Sequence, residues 1–385
     1  MCVRVLHVAP NISRVYGGPT YSLTAYSIAA ISAGASVTIA APVSPDADRT
    51  WITEILPNVK VLSFPSYGSG AFLAAPALHG WLRHHGSDFD VVHVHGLLNP
   101  VSSLASRSCI RNGWPLVIRP FGTLSRFTFT HRRALLKRVY MTLIEERNLC
   151  RASAVHFTTN AERDASSWHS IDWGDRARVV PPPWIGASTS PSVSRSESTT
   201  VLFLSRLHPV KNVELLLAAW PLVLKRVPNA RLVIAGDGEA AYVRDLHECA
   251  RGLERSVTFA GHVEGAAKKE LLSAAAVFAL PSFHENFGIA VLEALAAGLP
   301  AVITPEVQLS EFVSKHSLGV VSEPSAPAFA NAIVRSLTDR ALRERCGADG
   351  PQLVANYFSP STVGDALLQL YRFAVSQSKA QMAHT

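Results

Sequence analysis

Short apolar runs rich in Val and Ile alternate along this 385-residue chain with longer stretches of helical character. Most of the runs are continuously apolar, which is typical of strands that helices cover on both faces. The repeated strand–helix order predicts an α/β fold with parallel sheets. We expect the strands to be 3–9, 36–41, 59–64, 91–95, 116–119, 154–158 and 178–180, then 200–205, 231–235, 257–260, 277–280, 300–303 and 318–321.

The pattern is interrupted once, near the middle of the chain. Three consecutive prolines, Pro181 to Pro183, lead into a stretch of Ser, Thr and Pro that has the composition of a linker. We therefore predict two α/β/α domains, 1–183 and 201–360, with a linker at 184–200. Residues 361–385 are expected to form a helix that packs back on the first domain, followed by a frayed tail. Because ligands bind at the carboxyl ends of parallel strands, we expect the domains to face each other across a cleft that holds the site.

Composition limits the classes of protein to which the chain can belong. Apolar residues make up 48% of it, so a disordered chain is excluded. The net charge of +7 favours anionic partners. Five widely spaced cysteines, without a CxxC pair, argue against a disulfide framework or a zinc site. The N-terminus lacks the layout of a signal peptide, so we expect a cytoplasmic protein.

The segment from Phe278 to Pro300 carries the most chemical information. A strand ends in a loop that contains Glu285, and Phe287-Gly288-Ile289 then begins a helix that contains Glu293. A helix N-terminus directly after a strand is a ready anion site, because its first amides have no partner and the helix dipole is positive there. Glycine at position 288 would let a phosphate approach the backbone. A carboxylate suits a ribose diol, because it accepts hydrogen bonds from two hydroxyl groups.

The spacing of Glu285 and Glu293 resembles the Glu-x7-Glu signature of the retaining glycosyltransferases of family 4, which have the GT-B architecture of two Rossmann-like domains. The surrounding segments Glu-Asn-Phe-Gly and Glu-Ala-Leu-Ala-Ala-Gly-Leu-Pro also resemble the sequence of that family. The resemblance covers nearly the whole chain. It implies that Glu293 holds the ribose of a nucleotide-diphosphate sugar, and that Glu285 contacts the donor sugar and supports positive charge at its anomeric carbon.

Ser205 to Asn212 form the second informative segment, after the first strand of the second half. Arg206 and Lys211 are the kinds of cation that bind a diphosphate at a strand end. The segment resembles the family's Gly-Arg-Leu…Lys-Gly motif, with Ser205 and Asn212 in place of the two glycines. The resemblance implies that both cations neutralise the departing nucleoside diphosphate, so that neither a metal nor another cofactor is required.

Three loops of the first half complete the predicted site. Gly17 and Gly18 resemble the loop that the family places beside the donor phosphates and the acceptor. His95, in a His-x-His-Gly word with His93, is predicted to act as an acceptor contact or base, whereas His93 is expected in the core. No third ligand follows at useful spacing, so we predict no metal.

Arg119 is the last residue of the expected strand 116–119, directly before a loop, and is predicted to contact the donor. Many relatives place a histidine directly before the glycine of this loop, but this chain has Phe121 there. That departure leaves a catalytic histidine at this point without support.

Residues 126–151 contain seven Lys or Arg against two Glu. A helical apolar stripe runs through them, formed by Leu135, Leu136, Val139, Tyr140, Leu143 and Ile144. Such a helix can lie on an anionic membrane, which would place the protein on the inner face of that membrane. Packing of the stripe against the sheet explains it equally well. Nucleic acid is not an expected partner, because no DNA-binding motif or aromatic platform is present.

The predicted function is therefore transfer of a sugar, with retention, from a nucleotide-diphosphate sugar to a glycan or lipid-linked acceptor, in polysaccharide or glycolipid biosynthesis. Two alternatives remain. One is an enzyme of the same architecture that epimerises a nucleotide sugar without an acceptor. The other is a scaffold that binds nucleotide without turnover. Two Asp-x-Asp words, at Asp46 and Asp88, are interpreted as ordinary loop sequence.

Overall fold

A computed structural model describes residues 2–13, 18–43, 50–68, 73–130, 133–166, 171–186 and 197–383. The chain forms two compact units. The first consists of Met1–Ile185 with Phe358–Thr385, and the second of Gly186–Tyr357. The C-terminal residues therefore belong to the first unit. Most of the predicted linker, residues 187–196, lies outside the described residues.

The first unit is built on a parallel sheet. Its strands are β1 (Arg4–Val8), β2 (Ser36–Val43), β3 (Lys60–Pro65), β4 (Val91–His95), β5 (Leu116–Arg119), β6 (Ala154–Phe157) and β7 (Ala177–Val179). They lie in the order β3-β2-β1-β4-β5-β6-β7. In the register, His7 of β1 is opposite His93 of β4, and His95 is opposite Arg119 of β5. The chemistry-bearing residues of three neighbouring strands therefore share one face and one end of the sheet.

The helices of the first half are α1 (Gly18–Ser32), α2 (Thr50–Ile55), α3 (Pro76–His85), α4 (Pro100–Asn112), α5 (Arg126–Thr130), α6 (Ala134–Tyr140), α7 (Glu146–Arg151) and α8 (Asn160–Ala165). A π-helical segment, Met141–Glu145, joins α6 to α7.

The residues at the start of α4 explain why the helix begins there and how it is attached to the sheet. Asn99 caps it by accepting from the amide of Ser102, Pro100 occupies its first turn, and the Ser102 hydroxyl donates to the carbonyl of His95 at 2.8 Å. The cap therefore ties α4 to the end of β4.

The second unit repeats the design. Its strands are β8 (Thr200–Leu204), β9 (Arg231–Ala235), β10 (Val257–Gly261), β11 (Val277–Leu280), β12 (Ala301–Ile303) and β13 (Gly319–Val321). They form a parallel sheet in the order β10-β9-β8-β11-β12-β13. Its helices are α9 (Val213–Leu224), α10 (Ala240–Cys249), α11 (Gly265–Ala274), α12 (Ile289–Ala296), α13 (Ser310–Lys315), α14 (Ala326–Thr338) and α15 (Arg340–Phe358).

The C-terminal helix α16 (Pro360–Ala383) packs on the first sheet beside α1. Tyr26 of α1 and Tyr371 of α16 are both fully buried in the apolar core that covers this face. A second core, which includes Leu78 of α3 and Ala105 of α4, covers the opposite face. Burial on both faces is the physical reason why the strands read as continuous apolar runs.

The predicted α/β class and strand order along the chain are confirmed. Four strands, β4, β5, β9 and β11, have the predicted bounds, and the other nine differ by one or two residues at their ends. Within the described part of the chain, the helices fall short of the length and apolar character that a membrane crossing requires.

Candidate functional site

Lys211 and Glu285 meet at the carboxyl end of the second sheet. Lys211 ends a 3₁₀ turn (Pro209–Lys211) after β8, and Glu285 lies in the loop after β11. The ammonium group of Lys211 donates to Oε1 of Glu285, and the two side chains are only 13% and 16% exposed. The amide of Phe283 donates to the carbonyl of Val210 at 2.9 Å, which joins the two loops. The structure thus brings together two residues that the sequence placed in the site separately.

A third loop fixes the backbone of Glu285. Its amide donates to the carbonyl of Glu306 at 3.2 Å, and its carbonyl accepts from the amide of Gln308 at 3.4 Å. Both partners follow β12 in the chain. Nearby, burial lowers the pKa of His284, and Glu285 opposes that shift. Hydrogen bonds to the loops after β8 and β12 therefore fix the backbone of the loop that carries the Glu285 carboxylate.

Glu293, the predicted ribose ligand, also has a cationic partner. Nζ of Lys268, on α11, lies 2.7 Å from Oε1 of Glu293 on α12, and the two side chains are 33% and 13% exposed. Sequence reasoning missed Lys268, because α11 is connected to the motif only through the fold. A carboxylate can accept about four hydrogen bonds. Glu293 therefore keeps acceptor positions beyond the one that Lys268 uses.

The start of α12 has the geometry that its glycine predicts. Gly288 precedes the helix with φ +93°, a backbone conformation that favours glycine. A Cβ atom there would lie 3.2 Å from Val307 Cγ1. The amides of Val291 and Leu292 both donate to the carbonyl of Gly288, so helical hydrogen bonding begins in the first turn. Phe287 is buried and Ile289 is exposed.

Arg206 is exposed in the loop after β8. That loop lies against Gly236-Asp237-Gly238, which follows β9: the amide of Leu207 donates to the carbonyl of Asp237 at 2.8 Å. A Cβ atom at Gly236 would lie 1.9 Å from the carbonyl oxygen of Ser205, so only glycine allows this approach. Asn212, which replaces a family glycine, adopts φ +53°, a conformation that asparagine tolerates. The substitution is therefore compatible with the motif's backbone.

The first sheet carries a buried layer of histidines near its carboxyl end. Nε2 of His156 lies 2.7 Å from the carbonyl of Val180, and Nδ1 of His156 lies 3.3 Å from Nε2 of His93. Nδ1 of His93 lies 3.1 Å from the hydroxyl of Tyr371. A carbonyl can only accept, so neutral rings fix the direction of the chain: Tyr371 donates to His93, His93 to His156, and His156 to Val180. His93 is thus a core residue, as predicted.

Burial sets the charge of this layer. It lowers the pKa of His7 and of His156 to about 3, and Arg119 adds to both shifts. Burial likewise holds the pKa of His93 and of His95 well below its usual range. All four rings are therefore neutral at pH 7. For His95, a low pKa means a weak base, which favours the predicted contact role over the predicted base role.

A third histidine joins the His-x-His pair in space, although no third ligand follows the pair in the sequence at useful spacing. His7 reaches the pair from β1, with its Nδ1 atom 2.7 Å from Nε2 of His95. The ligand atoms of His7, His93 and His95 lie within 4.8 Å of one another. Sequence spacing could not reveal this contact, because it depends on the pairing of β1 with β4. Both ring nitrogens of His93 already make hydrogen bonds, so the cluster is organised as a hydrogen-bonded stack.

Arg119 is a buried cation, only 1% exposed, at the end of β5. Its Nη2 atom donates to the hydroxyl of Ser22 at 2.9 Å, and its guanidinium lies 4.4 Å from the ring centres of both Tyr26 and Phe121. Its Nε atom has no partner among the described residues. Burial lowers its pKa, yet a guanidinium stays protonated. Phe121 has φ +60°, a strained conformation for an aromatic residue.

Two buried glutamates hold the loops after β4 and β5, and sequence reasoning named neither as part of the site. Glu162 accepts from the amide of Gly122 at 2.5 Å and from both the amide and hydroxyl of Thr158 at 2.6 Å. Glu145 accepts from the amide of Leu98 at 2.7 Å and from the hydroxyl of Ser103 at 2.8 Å. Burial raises the pKa of Glu145. The Thr-x-x-Glu signature of a helix start was the available signal for Glu162.

Some of the remaining residues that the sequence singled out lie outside the described residues. Gly17 and Asp46 lie outside the described residues, and Gly18 begins α1 in an exposed position. Asp90, the second aspartate of the Asp-x-Asp segment that begins at Asp88, accepts from the amide of Arg4 at 2.8 Å and from its guanidinium at 2.9 Å, so it has a structural role. Asp88 lies 3.1 Å from the ring of His85.

Two family models match the chain, one in each half. The model "Glycosyl transferase 4-like domain" matches residues 17–183, and "Glycosyl transferases group 1" matches residues 188–353. Phosphatidyl-myo-inositol mannosyltransferase of Mycobacterium leprae is 27% identical over 362 residues, which cover 91% of each chain. Alpha-D-kanosaminyltransferase of Streptomyces kanamyceticus is 28% identical over 275 residues, which cover 68% of this chain and 71% of that protein.

Solved structures resemble the chain along nearly its whole length. Anabaena Alr3699/HepE, solved in complex with UDP and glucose, has a TM-score of 0.74 at 20% identity and covers 95% of this chain and 98% of its own. Sucrose-phosphate synthase from Thermosynechococcus elongatus has a TM-score of 0.75 at 19% identity, covering 96% and 98%. At these identities the likeness concerns the fold, and it extends over both units.

Proposed function

The chain belongs to the glycosyltransferases of family 4, with their GT-B architecture of two Rossmann-like domains, and on that premise we propose what it transfers and how. The donor is a nucleoside-diphosphate sugar, and the acceptor is a hydroxyl group of a glycan or a lipid-linked glycan. The sugar is transferred with retention at the anomeric carbon. The observation that carries this proposal is the contact of Lys211 with Glu285 at the carboxyl end of the second sheet.

The charges of the second unit support binding of a diphosphate. Arg206 offers a planar fork of donors to phosphate oxygens, and Lys211 offers a point charge with three donors. With three donors, Lys211 can keep Glu285 as a partner while it donates to a phosphate oxygen. The N-terminus of α12, after the left-handed Gly288, adds amides and a positive dipole end. The negative charge that develops on the leaving diphosphate is then neutralised by groups of the protein.

The carboxylates take the sugar parts of the donor. Glu293 accepts from the ribose hydroxyls, and Lys268 holds its carboxylate in place, with 2.7 Å between Nζ and Oε1. Glu285 contacts the donor sugar and stabilises the positive charge that forms at the anomeric carbon. In the front-face reaction, the bond from that carbon to the phosphate oxygen breaks as the bond to the acceptor oxygen forms. The acceptor's proton moves to the leaving phosphate oxygen, so no protein nucleophile is needed.

The first unit supplies the acceptor side. His95 and Arg119 lie on neighbouring strand ends, and the buried Nδ1 of His95 and Nε of Arg119 have no partner among the described residues. We propose that they make polar contacts with an acceptor hydroxyl. The mannosyltransferase and the kanosaminyltransferase are named for the sugar group that each transfers, and the first name also gives a phosphatidylinositol. A lipid-linked acceptor in glycolipid synthesis is consistent with the first name, and a glycan acceptor in polysaccharide synthesis is the alternative within the proposal.

The donor site is tested by thermal unfolding with UDP, GDP, ADP or CDP, each with and without EDTA. A ligand that binds only the native state raises the melting temperature, by about 2.7 kcal/mol of stabilisation at a hundred times its Kd. We expect one nucleoside diphosphate to stabilise the protein equally in EDTA, because Arg206 and Lys211 supply the positive charge.

The variants Lys211→Ala and Glu293→Ala should lose most of that stabilisation. Lys225→Ala, which removes an exposed lysine at the end of α9, is the matched control and should keep it. If no diphosphate stabilises the wild type, or if Lys211→Ala responds like the control, the proposed donor site is wrong.

A further inference from the structure

We propose that α6, the π-helical segment and α7, together with the exposed side of α4, form a docking face for a bilayer that contains anionic phospholipid. The sequence left two interpretations of the apolar stripe in this segment, a membrane or the sheet. Leu135 is 77% exposed, Leu136 48%, Val139 46% and Leu143 72%. Packing on the sheet is therefore the wrong interpretation for these four side chains. We call them the apolar ridge.

The apolar ridge stands on a well-anchored segment. On its inward side Met141, Glu145 and Leu149 are buried, and Glu145 accepts from the amide of Leu98 and the hydroxyl of Ser103 on α4. The side-chain amide of Asn148 donates to the carbonyl of Ser103 at 3.2 Å. These bonds fix which side faces outward. The exposure of the ridge is thus a property of the packed fold.

Four arginines surround the far end of the ridge. Arg107 and Arg111 of α4 and Arg147 and Arg151 of α7 line a groove of about 250 Å³, with Leu143 at its wall. None of the four forms an ion pair with a described carboxylate. Guanidinium groups bind phosphate oxygens through two parallel hydrogen bonds. The groove therefore fits the phosphate of a lipid head group.

Together, the ridge and the arginine groove fit a bilayer better than a soluble anion. A phospholipid surface presents phosphates directly beside acyl chains. The protein presents the complementary groups side by side, with arginines for the phosphates and the apolar ridge for the acyl chains. A soluble phosphate would use the groove and leave the ridge in water. The charge of this segment, seven cations against two carboxylates in residues 126–151, supplies most of the net +7 of the chain. This segment therefore carries most of the charge that attracts an anionic surface.

The test is sedimentation of the full chain with vesicles, without nucleotide. One set contains only phosphatidylcholine, and the other contains equal parts of phosphatidylcholine and phosphatidylglycerol. We expect at least about tenfold tighter binding to the anionic set, weakening as salt is raised. Equal binding to both sets would overturn the proposal, and so would displacement by inorganic phosphate at constant ionic strength, which would indicate a soluble-anion site.

Two double variants separate the parts of the face. Leu135→Ser with Leu143→Ser removes the ends of the ridge, and Arg147→Glu with Arg151→Glu reverses charge in the groove. Each should lower affinity for anionic vesicles by about tenfold or more. The controls are Ile55→Ser, which changes a 43% exposed side chain on α2, and Arg244→Glu with Arg345→Glu, two exposed arginines of the second unit. Unchanged binding by either test variant, or an equal loss in its control, would contradict the proposal.

The vesicle assay is independent of the proposed transfer. Stabilisation by a nucleoside diphosphate is measured on the same variants and should match the wild type, which also shows that they fold. A protein that binds anionic vesicles but responds to no nucleotide would refute the proposed function and leave the docking face standing. A protein that responds to a nucleotide but binds both vesicle sets equally would refute the docking face alone.

Discussion

The carboxyl ends of the two sheets carry opposite kinds of polar chemistry. In the second unit, two Lys–Glu pairs, Lys211 with Glu285 and Lys268 with Glu293, stand partly exposed on loops and helix starts. In the first unit, four neutral histidines and Arg119 lie buried between the sheet and the helices α1 and α16. A charged group that is partly exposed to water can exchange its protein partner for a ligand at a small desolvation cost. A buried, neutral, hydrogen-bonded layer instead keeps the end of the sheet rigid. We infer that the second unit binds the donor through charged groups, and that the first unit supplies a rigid surface for the acceptor.

The largest difference between the units is expected in their response to acid. The buried histidines have a lower pKa in the folded protein than when unfolded, so the unfolded chain binds more protons below about pH 6.5. Stability is therefore complete above that pH and is lost as pH falls from about 6.5 toward 3, by up to about 1.4 kcal/mol per pH unit for each histidine. His7 and His156, with pKa values of about 3, should both contribute across this window.

Hydrogen exchange, corrected for intrinsic rates, measures this effect separately for peptides of β4 and β11. Protection of β4 should fall by several kcal/mol between pH 8 and about pH 5. Protection of β11 should change less. Equal losses in both peptides would mean that the histidine layer does not distinguish the units.

The second effect in size concerns turnover. Glu285→Gln removes the negative charge that we propose stabilises the developing positive charge of the donor sugar, and we expect kcat to fall by about 100- to 1000-fold. The affinity for the nucleoside diphosphate should change by less than about threefold. Glu306→Gln, an exposed glutamate whose carbonyl accepts from the Glu285 amide, is the control and should keep wild-type kcat. Retained turnover in Glu285→Gln would remove its proposed catalytic role.

The third effect concerns stability in the first unit. Glu162→Ala leaves the amides of Gly122 and Thr158 without their carboxylate partner, and hydrogen bonds to charged groups contribute about 1.5–3 kcal/mol each. We expect the free energy of unfolding to fall by about 3 kcal/mol in a urea titration. The exposed neighbour Asp164, replaced by Ala, should cost well under 1 kcal/mol. A small effect of Glu162→Ala would show that the loop after β5 is held by other contacts.

The smallest effect separates Glu293 from its support. Glu293→Gln should weaken binding of the nucleoside diphosphate by about tenfold, because one strong ribose acceptor is lost. Lys268→Met should weaken it by only a few fold, since we propose that Lys268 positions the carboxylate without touching the ligand. Lys269→Met, the exposed neighbour on α11, should have no effect. Calorimetric titration measures all three. A larger loss in Lys268→Met than in Glu293→Gln would assign the ligand contact to Lys268 instead.

Local sequence predicted the strands well because burial on both faces leaves a continuous apolar run. The strands Val91–His95 and Val277–Leu280 have the predicted bounds. The ends of such strands then placed Glu285 and Arg206 in loops and Arg119 at a strand end, since polar residues begin where the apolar run stops. The fold class followed from the strand–helix order alone.

Contacts between distant segments could not be predicted in the same way. Lys268 reaches Glu293 from another helix, and His7 reaches His95 from another strand, so both contacts depend on packing. The stripe that contains Leu143 had a clear helical period, but a period does not say what the stripe faces. Only the structure showed that the Leu143 side chain is 72% exposed.

We propose above all that the protein transfers a sugar with retention from a nucleoside-diphosphate sugar, using its own cations. The most direct measurement is proton NMR of the reaction of α-linked nucleotide sugars, with EDTA present and water or a simple glycoside as acceptor. We predict release of the nucleoside diphosphate with an α-configured sugar as the first product, and no release by Lys211→Ala. A β-configured first product, or conversion of the donor to another nucleotide sugar without release of the diphosphate, would contradict it.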